Sequence, residues 1–71
     1  MMIIMFIESC ETMVYDDHNL IEDSYAVPRH FMAGDEIEVE RIDELDEGMV
    51  KLILAEGSEC QIHSDFFVRV N

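Results

Sequence analysis

Basic residues are nearly missing from this sequence. Arg29, Arg41, Lys51 and Arg69 are the only Lys or Arg among 71 residues, set against 17 Asp and Glu, and the net charge is -13. Phosphate contacts require Lys or Arg, so direct binding to nucleic acid is argued against. An anionic membrane surface is disfavoured by the same sign of charge. Cysteine is scarce too. Cys10 and Cys60 fall far short of the dense framework of a small secreted domain and imply reduced thiols in a cytoplasmic protein. The longest apolar run, "MMIIMFI" at 1–7, has no positive segment before it and no small-residue cleavage site after it. It is too short for a membrane span and lacks the marks of a signal peptide. Internal repeats, low-complexity segments, linkers and amphipathic helices of ordinary length are not found. The chain therefore reads as a single domain, 1–71, without a βαβ unit.

What is present argues for folding. Hydrophobic residues make up 49% of the chain, too many for a solvated acidic tail. A domain of this size buries only about 60% of the surface its unfolded chain exposes, so one modest core is expected. The charge works against compactness by self-repulsion, and so asks for a functional reason.

Period-two alternation dominates. Ile3, Met5 and Ile7 alternate with Met2, Ile4 and Phe6, both sets apolar, which predicts a first strand over about 2–8 covered on both faces or lying at a subunit contact. "TMVYD" at 12–16 predicts a second, and 16–23 a polar loop or single helical turn. Pro28 biases Val27 toward extended backbone, so "SYAVP" predicts another strand. Asp35 to Ile42 is the clearest strand, and "ELDEG" at 44–48 ends in a Gly suited to positive φ at a hairpin. Strands follow at Met49 to Ala55, Cys60 to His63 and Phe66 to Val70, with a Gly turn at 56–59. Five or six short strands with Gly turns predict an all-β fold, a small antiparallel barrel.

Four segments carry a resemblance: "MVYDD" at 13–17, "HFMAGDEIEV" at 30–39, the Gly48 and Gly57 turns, and "HSDFFVRV" at 63–70. Together they resemble the SH3-like barrel over about residues 13–70. The family's peptide groove uses a Trp near the strand that here begins at Met49, a second Tyr where Asp17 stands, and a Pro where His63 stands; this chain has no Trp. Tyr15 and Phe66 are the groove aromatics that match. The resemblance thus implies the fold more than proline-peptide binding, which needs an aromatic-lined groove.

The candidate site is the stretch 34–49, in which eight of sixteen residues are Asp or Glu. Glu36, Glu38 and Glu40 occupy alternate positions, so their side chains should leave one strand face at intervals of ~6.7 Å. Asp43, Glu44, Asp46 and Glu47 continue the charge around the following loop. Such a row resembles the regular charge of a nucleic-acid backbone, and the plain alternative is a solvated face partly neutralised by Arg41 and Lys51. Asp16, Asp17, Glu22 and Asp23 form a second acidic group. Their spacing, with His18, does not match a calcium loop. His18, His30, His63, Cys10 and Cys60 lack zinc-ligand spacing. No cofactor is implied. A catalytic pair such as Cys60 and His63 has no supporting context, and the chain leaves little room for a substrate pocket, so an enzyme is not expected.

These features predict a non-enzymatic acidic binding protein. Its partner is a basic protein, expected to be a nucleic-acid-binding enzyme or complex whose basic surface the carboxylates occupy as a nucleic-acid mimic. In size and composition the chain resembles phage-encoded counter-defence inhibitors such as anti-restriction and anti-CRISPR proteins. The alternative is an SH3-like adaptor that recognises a basic peptide or assembly partner. The six Met residues serve as core filler or, around "MMIIMF", as a contact that would allow a homodimer through the first strand.

Overall fold

The computed structural model describes residues 2–15 and 26–71. They form seven strands and one short 3-10 turn: β1 (Met2–Phe6), β2 (Cys10–Tyr15), β3 (Ala26–Phe31), β4 (Glu36–Glu44), β5 (Met49–Leu54), β6 (Glu59–His63), η1 (Ser64–Phe66) and β7 (Phe67–Arg69). All strands belong to one antiparallel sheet in the order β3-β2-β6-β5-β4-β1-β7. The all-β expectation holds, but with seven strands in place of five or six. The sheet is not closed, because β3 and β7 stand at its two edges without pairing to each other.

Inward-facing residues from six strands supply one core: Ile4, Phe6, Val14, Phe31, Val39, Val50, Leu52, Leu54, Cys60 and Ile62. A single sheet can bury one face only by curling over itself. Phe6 on β1 and Phe31 on β3 mark the curl, their rings stacked 4.4 Å apart at 8° although four strands lie between β3 and β1 in the sheet. Phe67 meets Phe6 edge-on at 6.4 Å, and Arg29 covers the Phe31 ring at 5.1 Å.

Several boundaries differ from the sequence expectation, each for a pairing reason. The first strand stops at Phe6, because the backbone of Phe6 bonds the turn at Gly34 and Asp35. The second starts at Cys10, which pairs with Phe31. The third runs Ala26–Phe31 beyond Pro28, which is tolerated on an edge strand. The fourth extends to Glu44, since Asp43 and Glu44 still pair with Lys51 and Val50. The last expected strand is divided into η1 and β7, with the His63 side chain capping the turn by accepting from the Asp65 N–H. Residues 16–25, including the predicted loop and the start of "SYAVP", lie outside the described residues.

The β4–β5 hairpin is tighter than a 44–48 loop. The Met49 N–H donates to the Asp46 carbonyl at 3.1 Å, and Glu47 and Gly48 both have positive φ, 59° and 80°. This is the pattern of a type I′ turn, which matches the twist of a hairpin and usually takes Asn-Gly. Here Glu holds the first position.

Candidate functional site

Alternation places Ile37 and Val39 inward and Glu36 and Glu38 outward on β4, as expected for a strand with one buried face. The regularity ends at Glu40. Val39 pairs with Leu54 and Arg41 with Ile53, so Glu40 is an inserted residue, a β-bulge. Leu52 and Leu54 are buried with Ile53 between them facing out, which puts Arg41 on the outer face beside Glu40. The bulge also allows Ile42 to turn inward opposite Leu52.

The acidic stretch is consequently two different surfaces. Immediately beyond the bulge, at Arg41 and Asp43, charges are matched: Arg41 Nε donates to both carboxylate oxygens of Asp43, at 3.0 and 3.2 Å, and Asp43 pairs across the sheet with Lys51. Lys51 Nζ in turn lies 3.9 Å from Glu59. Up to and including the bulge residue, Glu36, Glu38 and Glu40 are exposed and make no ion pair or side-chain hydrogen bond among the described residues. The remaining cations are engaged elsewhere, Arg29 with Glu56 at 3.4 Å and Arg69 with the Asn71 carbonyl at 3.2 Å. Glu44, Asp46 and Glu47 are exposed at the hairpin end, likewise without an ion pair among the described residues.

So the structure brings Glu36, Glu38 and Glu40 together as an uncompensated row, puts Glu44, Asp46 and Glu47 at the hairpin, and converts Asp43 into part of a balanced ladder. Asp16, Asp17, Glu22 and Asp23 lie outside the described residues. The signal for the bulge was in the sequence: Val39 and Ile42 are three apart, a step that strict alternation cannot bury on one face.

Tyr15 and Phe66, the aromatics of the SH3-like comparison, occupy separate places. Tyr15 pairs with Glu59 at the start of β6, while Phe66 follows the end of that strand. Four residues of strand from Glu59 to His63 span ~13 Å. Tyr15 instead shares a shallow outer groove with Met13, Met49, Glu59 and Gln61.

Both cysteines are free, Cys60 buried and Cys10 half-buried. Burial pushes the Cys60 thiol up to about 11, with the neighbouring Cys10 adding to the shift, and burial also raises Cys10. Raised thiols are poor nucleophiles at neutral pH. His63 Nδ1 is occupied as acceptor of the Asp65 N–H, and among the described residues no three His, Cys, Asp or Glu side chains are grouped to hold a metal ion. No helix among the described residues is long and apolar enough to cross a membrane. In comparisons with known proteins, no family model, no curated protein and no solved structure matches the chain.

Proposed function

We propose that the protein is a non-enzymatic acidic binding protein, acting in the cytoplasm, that occupies a basic nucleic-acid-binding surface of a partner protein. One observation supports this most directly. Glu36, Glu38 and Glu40 stand in a row on a rigid strand, while every Lys and Arg is committed to another group. Leaving like charges adjacent and unneutralised works against folding, and contact with a cationic surface would offset that repulsion. A carboxylate every ~6.7 Å along the strand is about half the axial charge density of one DNA strand, which carries a charge per ~3.4 Å. The bulge at Glu40 sets the end of the regular spacing, and the hairpin carboxylates Glu44, Asp46 and Glu47 add charge beyond it. The class of protein this suggests is a phage-type inhibitor of a nucleic-acid enzyme, and the accompanying fold reading is an SH3-like barrel left open between β3 and β7.

The test is capture of partners from the native host at low and high salt, followed by competition. Charge complementarity mainly raises the association rate, so binding should be fast and salt-sensitive, and DNA or RNA should compete. Reversing Glu38 and Glu40 to Lys should leave the fold intact, because both are exposed, and weaken binding at least tenfold. The groove of Met13, Tyr15 and Met49 supports the second reading, an adaptor for a basic peptide. A partner whose affinity ignores both reversals and the nucleic-acid competitor, but falls on Tyr15→Ala, would decide for that groove.

A further inference from the structure

The outward faces of most strands carry at least one polar group. β2 shows Glu11, β4 its glutamates, β5 Lys51, and β6 Glu59 and Gln61. The ribbon of β1 and β7 differs. Ile4 and Phe6 are fully buried, so alternation sends Ile3 and Met5 outward, and Ile7 continues the column at 46% exposure. On β7, Phe67 packs against the core and Val68 faces out, 41% exposed, directly across from Met5. Val70 follows at 47% exposure, with its N–H bonded to the Ile3 carbonyl. Five apolar side chains therefore make two adjacent columns with no polar side chain between them among the described residues. Both edges of β1 are paired, to β4 and β7, so anything contacting this strand must meet its outer face.

What borders the columns identifies the occupant. Glu38 pairs with Ile3 and Glu36 with Met5, so the uncompensated carboxylates run along the β4 side of the apolar columns. The patch is exposed at Ile7, Val68 and Val70 and half-buried at Ile3 and Met5, and a contiguous apolar patch rimmed by charge marks an interaction surface. We propose that this face docks an amphipathic basic segment of a partner protein, its apolar side chains seated on Ile3, Met5 and Val68 and its Lys or Arg side chains reaching Glu36 and Glu38. The proposal rests on the reading that these carboxylates meet a basic partner, and adds that the partner's surface has an apolar ridge beside its cations, which a phosphate backbone never presents. Charge selects against a second copy as occupant, since each chain carries -13 and association would bring like fields together.

Two synthetic peptides of equal charge test this, one alternating Leu and Lys and the other alternating Ser and Lys, titrated into the full chain with backbone amide shifts recorded. The Leu-Lys peptide should bind at least tenfold more tightly, perturbing amides of β1 and β7 as well as β4. That preference should vanish in an Ile3→Thr, Val68→Thr variant whose melting is checked first, and persist in Tyr15→Ala as a matched control. Equal binding of both peptides, with shifts confined to 36–40, would overturn the apolar contact and leave the charge reading standing. Failure of both peptides to bind would overturn the two together. A concentration-dependent dimer in sedimentation that the Thr variant abolishes would overturn the proposed occupant in favour of a second copy.

Discussion

Replacing Glu47 with Asn should stabilise the protein. Glu47 sits at φ 59° as the first central residue of the β4–β5 turn, with Gly48 at φ 80° as the second. An L-residue in the left-handed region costs roughly 1–2 kcal/mol, because its Cβ crowds the backbone, and Asn suffers less because its short polar side chain can bond locally. Asn-Gly is also the pair preferred for this turn. A gain of about 1 kcal/mol follows, and for a domain of this length it corresponds to a rise in Tm of about 4–8 °C. The substitution also removes a negative charge beside Asp46, so a control is required. Glu47→Gln removes the same charge while keeping a side chain unsuited to positive φ, and should gain less than about 0.5 kcal/mol, the usual range for a surface change. Thermal melts followed by circular dichroism, run at one ionic strength on the wild type and both variants, give the answer. If Glu47→Asn rises no further than Glu47→Gln, backbone strain at this turn has been misjudged and the gain is electrostatic. If the hairpin carboxylates meet the partner, Glu47→Asn should weaken binding while raising Tm, as expected where strain persists at a contact site.

Gly48→Ala should destabilise by about 1–3 kcal/mol, the range for a residue forced into a sparsely populated backbone region. The new Cβ would stand 2.5 Å from His63 Nε2, and the ring could move aside only by disturbing its Nδ1 bond from the Asp65 N–H. Adding His63→Ala should restore part of the loss in urea titrations, and no restoration would mean that backbone strain alone is responsible. Cys60 should make stability depend on alkaline pH. Its folded thiol is raised from 9.0 to about 11, so its neutral form is favoured by folding. That contribution is complete below about pH 9 and is lost as pH rises through about 11. The stability difference between wild type and Cys60→Ala should accordingly shift against the wild type across that window, and a constant difference would contradict the thiol's burial.

Much of the fold was written in alternation. Val50, Leu52 and Leu54 read as one buried face and are one, because β5 has paired neighbours on both sides and one face turned to the core. Alternation could not count strands at the C-terminal end, where the His63 cap bends the chain into η1 before β7 begins. The outward direction of Glu36 and Glu38 was also legible, since Ile37 and Val39 demanded the inner face. Which carboxylates stay uncompensated was not, because Lys51 and Glu59 meet only through pairing of β5 with β6, a long-range fact. The positive φ of Glu47 was hidden behind Gly48, whose presence explains one left-handed residue and gives no reason to expect two. Ile37 is half-buried and packs at the margin of the core, so Ile37→Ala should be milder than the same change at fully buried Leu52.

The position of β1 has a consequence for how the chain reaches its folded state. Ile4 pairs with Ile37 on one side and Arg69 on the other, so during synthesis this strand emerges well before either neighbour. Its apolar residues must wait while most of the sequence is made, and the pairing with β7 can form only when nearly the whole described sheet is available. Non-local pairings of this kind fold slowly and leave sticky segments uncovered in the interval. Carboxylates accumulating on the nascent chain give growing chains a like charge, and that mutual repulsion opposes association through uncovered "MIIMF" segments until β4 and β7 arrive.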